Sequence, residues 1–215
     1  MGKIVLATII ISGSAKWLLK VGGNKEKWYG SDRIFMYVMT VFGAMTVNYS
    51  EQCTEYGWVV SNLRLLAGCL LAGGLLSAAY MDRRNCWVYN YVWWWCLPWA
   101  GILGLTAGGG FHGIVAVLVF VMLQQLLFSR MYGKADCHAF SVCALAECGN
   151  AVGMVGFLLQ MFLSVVLLTI VQLFRGNVTP RGRLREPQPF IPYIITAFFS
   201  VRFLESVFRT TYIYA

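Results

Sequence analysis

The sequence predicts an all-α fold: a polytopic helix bundle in a membrane, with about seven or eight membrane segments. Three observations carry this. The 215 residues are 59% hydrophobic and only 12% charged, and mean hydropathy is +0.65. An ordinary soluble domain is about 45–50% apolar and about 25% charged, so a single soluble core of this size would leave too much apolar surface in water. The apolar residues also fall in runs close to the roughly 20 needed to span hydrocarbon. Finally, the basic residues cluster between those runs.

Taken in order, the runs predict spans at 3–21, 34–49, 57–80, 88–106, 113–130, 152–174 and 190–208. The first contains Lys16 and Lys20 close behind its apolar stretch, and reads as a short anchor or true span in preference to a signal peptide ending near Ser14-Ala15. The stretch 137–150 is short and rich in small residues; it reads as a short helix buried among the others, which a bilayer tolerates when protein surrounds it. The polar stretch 176–188, with Pro180 and Pro187, joins the last two spans and is no domain boundary. The whole chain, 1–215, reads as one membrane domain, with extra N-terminal segments over 1–56 and a core over 57–208.

The net charge of +8 is a topology signal. Twelve of the seventeen basic residues lie in one set of loops: Lys20, Lys25, Lys27 and Arg33; Arg83 and Arg84; Arg130 and Lys134; Arg175, Arg181, Arg183 and Arg185. The alternating loops hold none of them and carry Glu51, Glu55 and Glu147 instead. The basic loops are therefore expected on the cytoplasmic side, provided the stretch 137–150 crosses. Basic residues spread this way do not form a phosphate-binding face, so nucleic acid is not the expected partner. The lipid bilayer is. Arg64 and Arg202, in or beside spans, are expected to snorkel, and Trp93-Trp94-Trp95 and Trp99 fit an interfacial belt or helix packing, with anchoring at the interface the default. None of the seven cysteines forms a C-x-x-C pair, so neither a zinc site nor a disulfide framework is expected. His112, in the glycine-rich turn at 108–113, reads as a loop residue; no metal and no cofactor is expected.

Only three aspartates occur, Asp32, Asp82 and Asp136. Asp82 follows a long apolar run and Asp136 precedes the short helix, so both mark the cytoplasmic ends of membrane segments, at nearly one depth. The plain reading is solvated salt bridges with Arg83, Arg84 and Lys134. The chemical reading is a pair. Two close carboxylates cannot both ionise easily, and share a proton. Such a pair activates a water and polarises a carbonyl without metal or nucleophilic side chain.

The surrounding residues favour the chemical reading. Asp82-Arg83-Arg84-Asn85-Cys86-Trp87-Val88-Tyr89-Asn90 resembles an Asp, a basic turn and an Ile-Pro-Asn helix start, with Val88-Tyr89-Asn90 in place of the last three. Gly133-Lys134-Ala135-Asp136 resembles Gly-x-Gly-Asp, ahead of a small-residue helix ending at Gly149. Pro189-Phe190-Ile191-Pro192-Tyr193 resembles Pro-Phe-x-Pro-Phe. In this order and spacing, over roughly 57–208, they resemble the type IV prepilin peptidases, membrane aspartyl proteases of the Gly-x-Gly-Asp class. The resemblance implies Asp82 and Asp136 as catalytic residues, with Gly133, Lys134, Ala135, His138, Asn90 and Arg84 in support. It implies an endopeptidase cutting prepilin-like precursors, whose basic leader precedes a hydrophobic helix, at the cytoplasmic face. The two C-x-x-C pairs of the larger members, linked to N-methylation, have no counterpart, so this looks like a short form; whether methylation occurs stays open. Three positions depart from the pattern. Ala135 stands for a glycine and disfavours φ > 0. Tyr89 stands for a proline. His138 stands for a lysine, as a tuning group or a plain polar contact. A non-enzymatic membrane component or small transporter, using both aspartates as proton or cation sites, is the alternative. A relative that has lost catalysis is a third reading.

Overall fold

The computed structural model describes residues 2–23, 30–52, 57–107, 111–130, 133–148, 153–175 and 188–214. Among them are eight α-helices: α1 Gly2–Val21, α2 Gly30–Gln52, α3 Trp58–Asn85, α4 Asn90–Thr106, α5 Phe111–Leu126, α6 Lys134–Glu147, α7 Gly153–Phe174 and α8 Ile191–Tyr214. The fold is all-α. Four helices are long and apolar enough to cross a membrane: α1, α3, α7 over Val155–Phe174 and α8 over Ile191–Phe208. This is the make-up of a multi-pass membrane protein. In α2, Asp32 and Arg33 at one end and Asn48 near the other shorten the apolar stretch. Helices α4, α5 and α6 have 17, 16 and 14 residues. At 1.5 Å per residue α6 is about 21 Å long, short of the roughly 30 Å of hydrocarbon.

Helix α3 lies at the centre, packed against α1, α2, α4 and α8. Small residues let its neighbours approach. A Cβ at Gly68 would press on Val47 of α2, and one at Gly73 would collide with Ser14 of α1. Helix α1 buries Ala7, Ile11, Ala15 and Leu18, spaced as one helical face. Ser77 Oγ donates to the Ala15 carbonyl at 3.2 Å and Tyr91 Oη to the Leu18 carbonyl at 2.9 Å. The first segment is thus part of the bundle. Helix α6 is enclosed by α4, α5, α7 and α8.

Contacts between helix ends show that direction alternates along the chain. Ser31 and Asp32, opening α2, meet Arg83 and Arg84, closing α3. Arg64, near the start of α3, meets the end of α4 at Leu103 and Thr106. Gln125, at the end of α5, meets His138 near the start of α6. The ends that carry Lys20, Arg33, Arg83, Arg84, Lys134 and Arg175 therefore form one basic end of the bundle.

Several boundaries differ from the sequence expectation. Helix α3 runs on past residue 80 through Asn85, so Asp82 is helical rather than in a loop. Arg83 and Arg84 in the last turn suit the helix dipole, and Cys86, at φ 49°, closes the helix with its N–H on the Asp82 carbonyl at 2.8 Å. Helix α6 starts at Lys134 rather than 137, which takes Asp136 into its first turn. Helix α5 stops at Leu126 rather than 130. There the chain tightens into the 3-10 turn Phe128–Arg130, with Ser129 Oγ on the Gln125 carbonyl at 2.6 Å.

Neither arginine snorkels. Arg64 is 3% exposed and its guanidinium donates to the Leu103 carbonyl at 3.0 Å and to Thr106 Oγ1 at 2.9 Å, satisfying acceptors at the C-terminus of α4. Arg202 is buried against Glu147. The tryptophans divide. Trp94 is exposed, Trp93 is buried, and Trp95 donates to the Leu70 carbonyl and packs on Trp17 and Trp99. Cys53, the turn at 108–110, Tyr132, Gly149 and the loop charges Lys25, Lys27, Glu55, Arg181, Arg183 and Arg185 lie outside the described residues, as do the side chains of Glu51, His112 and Arg130.

Candidate functional site

The site is built on the N-terminus of α8. Phe190 caps this helix, its carbonyl accepting from Tyr193 N at 3.0 Å and Ile194 N at 3.2 Å. Pro192, in the first turn, has no N–H where an α-helix offers no partner for one. Ile191 N–H remains, and donates to Asp82 Oδ2 at 3.0 Å; the Phe190 N–H reaches the same carboxylate. The positive end of a helix thus faces Asp82. Asp82 is 6% exposed. It is not the partner of its neighbours: Arg83 Nε lies 2.8 Å from Asp32 Oδ1, and Arg84 Nε 3.0 Å from Asp32 Oδ2. Asp32, the third aspartate of the sequence, draws both guanidinium groups to the start of α2. The expected salt bridge of Asp82 with these arginines is therefore not formed, because the arginines point towards α2 and the carboxylate towards α8.

Asp136 reaches the same region from α6. Its Oδ2 folds back to accept the Gly133 N–H at 3.2 Å. The third helical residue thereby satisfies the N-cap amide, half of a capping box. Gly133 has φ −64°, so its conformation does not require glycine; space does, since a Cβ would stand 3.1 Å from Asp136 Oδ2. Ala135 is helical, and Cys86 is the one non-glycine residue with positive φ among the described residues. This turn makes no use of the freedom a glycine at 135 would give. Burial, then the charge of Asp82, push the Asp136 carboxyl up to about 7. The two carboxylates are thus within electrostatic reach. Packing agrees: Phe140, one turn along α6 from Asp136, meets Phe190 edge-on with ring centroids 5.9 Å apart.

The supporting residues fall into two groups. Gly133 and Ala135 shape the turn that holds Asp136. Lys134 is exposed at the first position of α6, and Asn90 is exposed at the first position of α4. Arg84 turns to Asp32, with its guanidinium also over the Tyr80 ring. His138 lies two residues from Asp136, which on a helix is nearly the opposite face. Its Nδ1 is 3.3 Å from Gln125 Nε2, and its ring is 6.0 Å from that of Trp93. Tyr89, at φ −73° and ψ 141°, already has the backbone that a proline would impose.

Sequence reasoning missed Asp32 and Gln125. An aspartate in a basic loop and a glutamine pair inside an apolar run were the available signals. The partner of each was not visible, being 52 and 13 residues away. Among the described residues no three His, Cys, Asp or Glu side chains gather as a metal site.

Two carboxylates beside a helix N-terminus, one of them with its pKa pushed up to about 7, can orient and activate a water. Set against protein-family models, curated proteins and solved structures, the chain matches none.

Proposed function

We propose that the chain is a membrane aspartyl endopeptidase that removes the leader of prepilin-like precursors at the cytoplasmic face. The observation that carries this reading is the meeting of Asp82 and Asp136, from different helices, at the Pro189-Phe190-Ile191-Pro192 element, so that all three motifs of the resemblance converge on one place. The basic end of the bundle, where they meet, is the end expected in the cytoplasm.

Roles follow from the donors. Asp82 accepts two backbone N–H groups at a helix N-terminus against one for Asp136, so of the two it is the better-stabilised carboxylate. Asp136 accepts one and is the member that holds the proton. A water between them loses a proton to the Asp82 carboxylate as its oxygen attacks the scissile carbonyl. The Asp136 carboxylic acid hydrogen-bonds the carbonyl oxygen as negative charge develops there. When the tetrahedral intermediate collapses, the C–N bond breaks and the proton on Asp82 passes to the leaving nitrogen. The hydrophobic helix of the precursor lies in the bilayer, and its scissile bond meets the carboxylates at the membrane surface.

The test is co-expression with a pilin-like precursor from the same genome, following its size. Cleavage is expected from the unmutated chain and not from Asp82→Asn or Asp136→Asn. Persistence in both variants would rule out the aspartyl mechanism, and no cleavage by the unmutated chain would favour a carrier or an inactive relative.

A further inference from the structure

Glu147 and Arg202 form a buried ion pair through Arg202 Nε and Glu147 Oε1, with side chains 8% and 6% exposed. The pair lies away from the proposed chemistry, in the opposite half of the bundle, yet both of its helices lead back to it. Glu147 is the last residue of α6, eleven residues after Asp136. Arg202 is eleven residues after Ile191, the residue whose N–H holds Asp82. Eleven residues make about three turns, a rise of about 16 Å, so each spacing returns to the same face of its helix. The two helices run in the same direction. Joining 147 to 202 therefore sets 136 level with 191.

The far end of α6 has few other ways to sit. A Cβ at Gly104 of α4 would fall on the Leu145 carbonyl oxygen, and one at Gly113 of α5 would stand 2.8 Å from the Cys148 carbonyl oxygen. These contacts are snug but carry no polar direction. The ion pair supplies one. A slip of α6 by one residue against α8 would move Asp136 by about 1.5 Å along the axis and about 100° around it.

We propose that Arg202 is a positioning residue: through Glu147 it fixes the axial register of α6 on α8, and so holds Asp136 opposite Asp82. The effect on cleavage rests on the peptidase reading; the effect on the geometry of the two carboxylates does not.

The experiment uses the whole chain in detergent micelles or nanodiscs. With three aspartates in the sequence, carboxyl 13C labelling of aspartate gives three signals, which Asp82→Asn and Asp136→Asn assign. In the unmutated chain the Asp82 and Asp136 signals titrate in two steps, each sensing the other. In Arg202→Gln they are expected to collapse to single steps, as Asp82 does in Asp136→Asn. Cleavage should lose at least about tenfold in kcat with KM little changed, the pattern of misplaced catalytic groups. The reversed pair Glu147→Arg with Arg202→Glu is expected to restore the two-step titration. A folded Arg202→Gln protein that keeps the two-step titration overturns the proposal. So does a folded reversed pair that titrates in single steps, and this second result decides the matter if Arg202→Gln does not fold. An unmutated chain that cleaves no precursor would overturn the peptidase reading while leaving the titration to judge the register.

Discussion

At the scale of single residues, Gly133 and Ala135 test whether the turn before Asp136 is understood. Gly133 lacks a side chain because Asp136 Oδ2 occupies the space. In Gly133→Ala the carboxylate must give by a few tenths of an ångström. Folding is expected to lose no more than about 1 kcal/mol, as for a weakened N-cap, while precursor cleavage falls about tenfold from misplacement of the acid. Ala135→Gly, which brings in the second glycine of the Gly-x-Gly-Asp pattern that the turn resembles, should do the opposite of what the resemblance suggests. Residue 135 is helical, so glycine there loses about 0.5–1 kcal/mol of helix stability and brings no gain in cleavage. Asp136 itself gives a pH prediction. Its carboxyl is raised from 3.8 to about 7 by burial and by Asp82, so the folded chain binds a proton that the unfolded chain has lost across that range. Stability therefore falls as pH rises from about 4 to about 7, and the penalty is complete above. Asp136→Asn removes the penalty and keeps a carbonyl oxygen for the Gly133 N–H. Thermal unfolding in detergent should show the variant gaining in Tm over the unmutated chain at pH 8 and not at pH 4. An equal change at both pH values would mean that Asp136 is ionised normally.

At the scale of elements, α6 is a short helix held in a socket, and the socket is glycine. The Gly104 contact is with the Leu145 backbone, which no side-chain rotation can relieve. Gly104→Ala forces α4 and α6 apart and is expected to destabilise by about 1–3 kcal/mol. Gly101→Ala, in the same helix with open space at its Cβ, should be neutral or stabilising by up to about 1 kcal/mol. A common response of both variants would point to helix propensity rather than socket fit. The ion pair at the far end of α6 adds a second demand. Removing one partner leaves a buried charge, so Arg202→Gln is expected to cost about 3–5 kcal/mol, and Arg202→Gln with Glu147→Gln less than that. The Asp32 clamp on Arg83 and Arg84 is the contrast. Its side chains are 17% to 29% exposed, so Asp32→Asn is expected to lose no more than about 1 kcal/mol, and less in high salt.

At the scale of the whole molecule, the apolar runs announced seven of the eight helices among the described residues, because the bilayer imposes length and hydropathy on each span independently of its neighbours, while the short α6 was read from its small residues. Their ends were less visible. The apolar pattern stops at Met81, whereas the backbone ladder continues to Asn85, and only the helix decides that Asp82 faces α8 rather than water. Pairings were not visible at all. Asp82 meets Ile191 across 109 residues, and a single sequence holds no record of such contacts. The distribution of charge, in contrast, is a property of the whole chain and was plain. It makes one further prediction. The basic ends of the helices gather at the end of the bundle that holds Asp82 and Asp136, and Lys and Arg resist translocation, so that end should face the cytoplasm. The chain supplies its own probe. Cys86 is exposed at that end, while Cys69, Cys96, Cys137, Cys143 and Cys148 are buried. With Cys53 changed to serine, a membrane-impermeant thiol reagent should label Cys86 in inverted vesicles and not in intact cells. Labelling in intact cells would place the two aspartates on the outer face, where a leader still in the cytoplasm never arrives, and the proposed reaction would have no substrate.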